Sequence, residues 1–213
     1  MHRLSLVAFV AAATFACKSD KKDEPPTPSK RADAGVTKPD PAAAPAKLTI
    51  AKGSVGPLTA SSRKDKASLQ TALPGFQVVE ESYEAEGDTY TTLFVKNGDA
   101  KVLNIDDHFS GSGLVVTVYD GSIRDAAGIG IGVTHAKLAA AYPDLACQRE
   151  KFAEGETEGM GPIDSVTCTS ATMAGVQWSF DILALKLAGE KLPAADKLAA
   201  LAISGLSVEL TTP

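Results

Sequence analysis

The sequence has few of the residues that most catalytic sites use. Its 213 residues include only three cysteines and three histidines, and His2 lies in a stretch that we expect to be removed. The sequence contains no G-x-G-x-x-G or P-loop pattern for phosphates, no C-x-x-C pair and no G-x-S-x-G nucleophile elbow. We therefore predict no cofactor and assign no catalytic residue from motifs.

Basic residues are also in the minority. Lys and Arg number 21 against 26 Asp and Glu, which gives a net charge of -5. Nucleic acid and anionic lipid surfaces both select proteins with a basic face. The sequence therefore disfavours a nucleic-acid partner and direct docking on anionic lipid.

Long hydrophobic runs are scarce, and the N-terminal run Leu4–Ala16 is shorter than the roughly 20 residues of a membrane span. A short basic end precedes this run and a polar segment follows it, which is typical of a secretory signal. Because the run stops at Cys17, it resembles a bacterial lipoprotein signal, in which residues 1–16 are removed and Cys17 carries a diacylglyceryl group and an N-acyl chain such as palmitate. Thr14 and Ala16 also fit the small-residue site of an ordinary signal peptidase, so conventional cleavage at the same bond stays open as an alternative.

The cysteine count favours lipidation. An odd cysteine in an exported protein needs an explanation, and if Cys17 carries lipid, Cys147 and Cys168 remain as a pair. Disulfides persist in oxidising compartments, so we predict a structural disulfide between them, with Cα atoms about 5.5–6 Å apart. A redox or metal role is the alternative, which the absence of a C-x-x-C pattern and of a nearby histidine in the sequence disfavours.

Residues 17–46 are predicted to be the lipidated cysteine followed by a disordered linker. The linker, Lys18–Ala46, holds half of the chain's 12 prolines and almost no large apolar side chain. Such a composition cannot bury enough surface to offset the entropy of ordering, and its prolines favour extended polyproline II. We interpret it as a spacer that holds a domain away from a membrane.

The remaining residues, 47–213, are predicted to form a single globular α+β domain with a mostly antiparallel sheet and two or three helices, after the disordered N-terminal tether. The helices are predicted at Lys64–Leu73, Thr134–Ala141 and Ala194–Leu201. The strands are predicted at Leu48–Ile50, Phe76–Val79, Tyr90–Lys96, Lys101–Ile105, Leu114–Tyr119, Ile129–Val133, Gln148–Phe152, Val166–Thr169, Val176–Leu183 and Leu206–Leu210.

Local signals set the ends of several of these elements. Ser61 or Ser62 is expected to cap the first helix, and Thr134 the second. Asn97-Gly98 is the strongest hairpin signal in the chain. The run Gly128–Gly132 lacks the residues that make a phosphate site, so we interpret it as a short strand that crosses closely packed backbone.

Asp106, Asp107 and His108 are weak candidates for a catalytic or metal site. Carboxylates and an imidazole can act as acid and base or ligate a metal. Alternation along a strand would place Asp106 and His108 on one face and Asp107 on the other. One histidine and one carboxylate are too few ligands for a metal site, so a solvated strand end is the simpler interpretation. His135 is expected to be exposed in the first turn of its helix.

Two acidic runs, Glu80–Asp88 and Glu154–Glu158, raise the question of calcium. Neither run matches the EF-hand spacing, and a solvated acidic surface is the favoured interpretation. The sequence leaves calcium binding open.

Several short stretches of the domain match one family of proteins. They are Val55–Ser61, Ala72–Gly75, Ile105–Asp106, Asp125–Gly132 and the cysteines Cys147 and Cys168. With these stretches the domain resembles a small family of envelope-stress (sigma-E) regulated bacterial lipoproteins, whose domain has no known function. The resemblance covers roughly residues 47–183 and implies an outer-membrane lipoprotein that faces the periplasm, with no catalytic residue to transfer. The long linker and the tail after Leu183 depart from the family.

The sequence therefore favours a membrane-anchored envelope lipoprotein whose domain is a non-enzymatic binding or structural module facing the periplasm. The expected contacts are the membrane, through the lipid on Cys17, and an envelope protein or a small ligand. One alternative is a hydrolase or metal-dependent enzyme that uses Asp106, Asp107 or His108. A second alternative is an accessory lipoprotein of an outer-membrane assembly or transport complex.

Overall fold

The chain builds one broad antiparallel sheet that is covered on one face by short helices and loops. The structure is a computed structural model, and it describes residues 45–85, 87–107, 113–152, 162–189 and 191–210. The predicted signal, Cys17 and nearly all of the predicted linker Lys18–Ala46 lie outside these residues. The described residues belong to one compact unit. Among them, no helix is both long and apolar enough to span a membrane.

The described residues form three α-helices and ten strands. The helices are α1 (Lys66–Ala72), α2 (His135–Ala141) and α3 (Ala195–Ala200), with a short 3-10 helix at Leu183–Leu185. The strands are β1 (Ile50–Ala51), β2 (Ser54–Val55), β3 (Gln77–Ala85), β4 (Asp88–Asn97), β5 (Ala100–Asp107), β6 (Leu114–Val118), β7 (Ala146–Phe152), β8 (Ile163–Thr169), β9 (Val176–Asp181) and β10 (Gly205–Glu209). The predicted α+β class with a mostly antiparallel sheet is confirmed.

Two antiparallel meanders make up most of the sheet. Strands β3 to β6 form the first meander, and β7 to β9 form the second. The last strand, β10, lies between them and pairs with both β6 and β9. The order across the sheet is therefore β3-β4-β5-β6-β10-β9-β8-β7, while β1 and β2 form a separate pair. A single C-terminal strand joins the two meanders.

The core lies on one face of this sheet. Every second residue of β6 and β9 is buried, as expected for strands with one face against a core. The largest buried side chains there are Trp178 and Phe180. Each helix adds one buried leucine to the same core, and these are Leu69, Leu138 and Leu198.

The β4–β5 hairpin forms where the Asn-Gly signal predicts it. Asn97 pairs with Ala100, so Gly98 and Asp99 make a two-residue turn. Gly98 has φ of 59°, a left-handed conformation that glycine adopts without steric cost. This prediction is confirmed.

The predicted cap of α1 is wrong. The helix begins at Lys66, and the carboxylate of Asp65 accepts a hydrogen bond from the backbone N–H of Ser68 at 2.8 Å. This hydrogen bond holds the pKa of Asp65 below its usual value. Ser62 instead accepts a hydrogen bond from the backbone N–H of Thr59 at 3.0 Å, so its hydroxyl is already used in the preceding turn.

The predicted strand at Ile129–Val133 is also wrong, because this segment is a series of turns. Gly128 and Gly132 have φ of 78° and 81°, and these left-handed conformations are incompatible with a strand. The predicted close packing does occur, since a Cβ atom on Gly130 would lie 2.6 Å from the carbonyl oxygen of Ile123. The small residues therefore serve tight turns and close backbone approach.

Candidate functional site

The β3–β4 hairpin extends beyond the described part of β5. Within the described residues, β4 pairs with β5 only from Leu93 onward, so the residues nearer the hairpin tip pair only with β3. We call residues 82–85 and 88–91 the ribbon, and every side chain described in it is exposed. Tyr83 and Tyr90 face each other across the ribbon, with stacked rings 5.5 Å apart, and are 57% and 42% exposed. The ribbon thus presents two aromatic rings to solvent.

An open cleft of about 540 Å³ lies between the root of the ribbon and the segment that leads into α1. Its lining is mostly charged and polar and consists of Lys64, Asp65, Lys66, Glu80, Thr89, Tyr90, Thr91, Leu93 and Asp107. A smaller pocket of about 310 Å³ near residues 45–48 contains none of the predicted site residues. The cleft is therefore lined both by Tyr90 of the ribbon and by Asp107, one of the weak candidates from the sequence.

Asp106 and Asp107 meet a lysine at the edge of this cleft. The ammonium nitrogen of Lys64 lies 2.8 Å from a carboxylate oxygen of Asp107 and 3.8 Å from one of Asp106. The Asp107 side chain is 68% exposed, which is the setting of a surface ion pair. His108, the third predicted member, lies outside the described residues. The two aspartates therefore lie beside the ammonium group of Lys64, which no sequence pattern indicates as part of a site.

The described residues of the first acidic run are Glu80, Glu81 and Glu84 in β3 and Asp88 at the start of β4, and both strands extend beyond their predicted bounds. Glu81 accepts hydrogen bonds from Lys101 at 3.1 Å and from Lys96 at 3.3 Å, and the Lys101 bond is the main cause that holds the pKa of Glu81 below its usual value. The second run, Glu154–Glu158, lies outside the described residues. Among the described carboxylates, no group of three lies close enough to hold an ion, so calcium binding gains no support from geometry.

The predicted cysteine pair is joined by a disulfide in the structure. Cys147 of β7 lies directly opposite Cys168 of β8, with Cα atoms 4.1 Å apart. The expected separation of about 5.5–6 Å is too large, because facing residues on adjacent antiparallel strands can lie as close as about 4.5 Å at Cα in a non-hydrogen-bonded pair.

The prediction that His135 is exposed is wrong, and the fold brings this histidine beside the cysteines although none is near them in the sequence. The Nε2 atom of His135 lies 3.6 Å from the Sγ atom of Cys147, and the imidazole meets the Phe180 ring edge to face. His135 is half-buried, and this burial lowers the pKa of its imidazole. The periodicity of α2 gave no signal for this contact, since it depends on how the helix packs on the second meander.

Comparison with known proteins bears on the fold. No family model matches the chain, and no curated protein matches it. The crystal structure of the uncharacterised protein yfeY from Escherichia coli superposes with a TM-score of 0.52, over 77% of this chain and 99% of that one. The two proteins share a fold. At 20% identity the likeness extends to the fold alone, so membership of the sigma-E-regulated lipoproteins stays a prediction.

A buried hydrogen-bond network holds the turns around Gly128–Gly132. Asp125 accepts a hydrogen bond from the backbone N–H of Ile129 at 2.8 Å and another, very short, from the Tyr142 hydroxyl. Burial and this hydrogen bond raise the pKa of Tyr142, whose ring stacks on Trp178. Because each polar group is engaged with another part of the core, we interpret this network as structural.

The second meander contains a buried ion pair that no sequence pattern indicates. Arg149 of β7 donates two hydrogen bonds to Asp164 of β8, at 2.6 and 2.7 Å, and the two side chains are 0% and 5% exposed. The Arg149 hydrogen bond holds the pKa of Asp164 below its usual value. The same guanidinium donates to the carbonyl oxygens of Leu187, Gly189 and Lys191. Arg149 therefore fastens the segment between β9 and α3 to the sheet.

Proposed function

We propose that the chain is a lipoprotein of the bacterial cell envelope, anchored through Cys17 in the outer membrane and facing the periplasm. In this proposal residues 47–213 are a non-enzymatic module that binds a protein partner, and the ribbon is the contact surface. The observation that carries the proposal is the stacked, solvent-exposed pair of Tyr83 and Tyr90.

Physical reasons support the ribbon as a contact surface. A two-stranded hairpin is marginally stable by itself in water, and it gains little from core packing when both of its faces are exposed. Tyrosine is enriched in protein interfaces because its rigid ring buries a large apolar area while its hydroxyl can still form hydrogen bonds. A stacked tyrosine pair on a projecting ribbon offers such an anchor.

The charge of the ribbon indicates what kind of partner it fits. Glu84 and Asp88 are exposed, and within the described part of the chain neither has an ion-pair partner. Complementary charge across an interface speeds encounter and fixes the orientation of the partners. We therefore propose a partner that presents basic residues around an apolar pocket for the tyrosines.

A site-specific photo-crosslinking experiment tests this proposal. A photoreactive phenylalanine analogue replaces Tyr90 in the full chain, expressed in its own cells, and Tyr119 is the matched control because it is a tyrosine of similar exposure, 47%, outside the ribbon. We expect a discrete protein adduct from position 90 that is absent from position 119. The adduct should weaken when Glu84→Gln and Asp88→Asn are introduced together. The same adduct from both positions, or an adduct unaffected by the charge changes, would contradict the proposal.

The two alternatives give different outcomes in related experiments. If the module is an accessory of an outer-membrane assembly or transport complex, the adduct contains an outer-membrane protein. If the chain is a hydrolase or metal-dependent enzyme that uses Asp106, Asp107 or His108, the ammonium group of Lys64 competes with a metal ion or substrate for the two carboxylates. Lys64→Ala would then raise activity, whereas the binding proposal expects no activity from either form.

A further inference from the structure

The most compact group of chemically reactive side chains in the described residues lies far from the ribbon in sequence. His135, Cys147 and Cys168 each offer one ligand atom, and these three atoms lie within 4.8 Å of one another. The imidazole comes from α2, and the two sulfurs come from facing positions on β7 and β8. Two sulfurs and one imidazole nitrogen are the donor set of borderline-soft cations such as zinc.

We propose that these three residues form a zinc-class metal site that is closed while the disulfide is intact and opens when it is reduced. The disulfide blocks the site because bonded sulfurs have no thiolate charge to offer, and the thiolate is the species that binds a metal. This inference does not depend on the function proposed for the ribbon.

The present distances already match part of such a site. Zinc bonds to sulfur and to imidazole nitrogen are about 2.3 and 2.0–2.1 Å long, so neighbouring S and N ligands of a tetrahedral zinc lie about 3.6 Å apart. The Nε2 atom of His135 and the Sγ atom of Cys147 are separated by 3.6 Å. The separation of these two atoms is therefore already that of two ligands on one zinc.

The two sulfurs need only a small movement. Two thiolates on one tetrahedral zinc lie about 3.8 Å apart, which is close to the non-bonded contact distance of two sulfur atoms. Rotation of the cysteine side chains can open this gap once the S–S bond is broken. The Cα atoms stay in place because Cys147 and Cys168 are paired within a ladder that extends on both sides of them.

The surroundings hold the histidine and leave the cluster partly exposed to solvent, from which a fourth ligand would come. The backbone N–H of His135 donates to Leu201 at 2.8 Å and fixes the start of α2, and the Phe180 ring packs edge to face on the imidazole. His135 and Cys147 are half-buried while Cys168 is fully buried, so solvent reaches the site from one side. Three protein ligands with a fourth, solvent-accessible position make an open zinc site.

The chemistry balances with a dithiol as the reductant. The dithiol gives two electrons to the bond between Cys147 and Cys168 and becomes a disulfide itself, while its two protons pass to the released sulfurs. Zinc then displaces both thiol protons to solvent and forms two bonds to sulfur and one to Nε2 of His135. The sulfur of Cys147 is the more accessible point of attack, because Cys168 is buried.

The test measures zinc binding by the full chain with Cys17→Ser, so that Cys147 and Cys168 are its only cysteines. The protein is examined oxidised and after treatment with a dithiol, by competition with a chromophoric zinc chelator. Cobalt serves as a second probe, because thiolate ligands give it charge-transfer absorption. We expect one zinc per reduced chain, thiolate bands with cobalt, and no binding by the oxidised chain.

The histidine is tested by His135→Asn, with Lys137→Ala as the matched control on an exposed position of α2. We expect His135→Asn to weaken zinc binding at least about tenfold, since loss of an outer-shell partner alone commonly costs 10- to 100-fold. Lys137→Ala should bind zinc as the parent does. If the reduced chain loses its fold, which circular dichroism shows, zinc should restore it in the parent and not in His135→Asn.

Three results would overturn the inference. The first is no zinc bound by the reduced chain, whether it is folded or unfolded. The second is equal zinc affinity in His135→Asn and Lys137→Ala, which would indicate that the two thiols bind without the imidazole. The third is equal zinc binding by the oxidised and reduced chains.

Discussion

Replacing Asp164 with asparagine should destabilise the domain strongly, although the two side chains have nearly the same shape. The substitution removes one charge of a pair whose other member, Arg149, is 0% exposed. The guanidinium would then be buried beside a neutral amide that can accept fewer hydrogen bonds than a carboxylate. The cost comes from replacing the charged partner of a buried guanidinium with a neutral one, and not from a change in packing.

The size of the effect follows from the burial of the pair. Removing one partner of a buried ion pair typically lowers the free energy of unfolding by about 3–5 kcal/mol. The hydrogen bonds of 2.6 and 2.7 Å place this pair among the short, charge-assisted ones, so we expect an effect in that range. Arg149→Met combined with Asp164→Leu should recover only part of the loss, because the carbonyl oxygens of Leu187, Gly189 and Lys191 lose their donor.

The effect of Asp164→Asn should also depend on pH. Because the pKa of Asp164 is lowered in the folded protein from its ordinary value of 3.8, the ionised carboxylate favours the folded state. Its contribution is fully present above the unfolded pKa and is lost as the pH falls through the lower, folded pKa. The gap between parent and variant should therefore stay constant from neutral pH down to about pH 5 and shrink below pH 3.8.

Urea unfolding followed by the fluorescence of Trp178 measures this gap, since Trp178 is the chain's one tryptophan and is buried. Asp107→Asn is the matched control, because Asp107 pairs with Lys64 but is 68% exposed. That control should change the free energy of unfolding by at most about 1 kcal/mol. A loss below about 1 kcal/mol for Asp164→Asn, or a gap that does not change with pH, would refute the reasoning.

Three further predictions concern the core, the disulfide and the anchor. Gly130→Ala should lower the free energy of unfolding by about 1–3 kcal/mol in urea titration, since its Cβ would lie 2.6 Å from the Ile123 carbonyl oxygen; an unchanged midpoint would contradict this. Changing Cys147 and Cys168 to alanine together should cost about 2–4 kcal/mol in the same assay, and two free thiols in protein purified without reductant would defeat the premise. Cys17→Ala should move the protein from the membrane fraction to a soluble or unprocessed form, and unchanged fractionation would count against lipidation.

Local signals made much of the fold predictable. Asn97-Gly98 predicted a hairpin because a tight turn needs a residue that accepts positive φ, and Gly98 has φ of 59°. The apolar and β-branched run at Val176–Leu183 predicts a strand, and the structure has β9 at Val176–Asp181. These features depend on residues that are neighbours in the sequence, so the sequence alone contains the required information.

Competing local signals produced the errors. Ser61 and Ser62 are good helix caps, but Asp65 is closer to the apolar positions of α1 and takes that role. Alternating glycine and isoleucine in Gly128–Gly132 has the period of a strand, yet the Asp125 side chain captures the backbone N–H of Ile129 and favours turns. In both cases an aspartate side chain decided between two local structures that the pattern permits.

The candidate site was less predictable, because its contacts join distant parts of the chain. Asp106 and Asp107 were chosen from their residue types, but Lys64, which pairs with both, comes from the segment before α1. His135 looked solvent-exposed from the helix pattern alone, while the structure places it beside Cys147. A short sequence pattern shows which side chains are present. Which of them come into contact depends on how α2 packs on the second meander.

The tail after Leu183, which departs from the family resemblance, is built into the centre of this fold. Its strand β10 pairs with β6 on one side and β9 on the other, and its Leu206 and Val208 are buried in the core. Without β10, β6 and β9 would each expose an unpaired edge, and the core would lose the side chains of Leu206 and Val208. The Arg149 contacts hold the segment that leads to this strand, since they fasten Leu187, Gly189 and Lys191 to the second meander. The two meanders therefore form one sheet only through β10. The buried Arg149–Asp164 pair holds the segment that precedes α3 and this last strand.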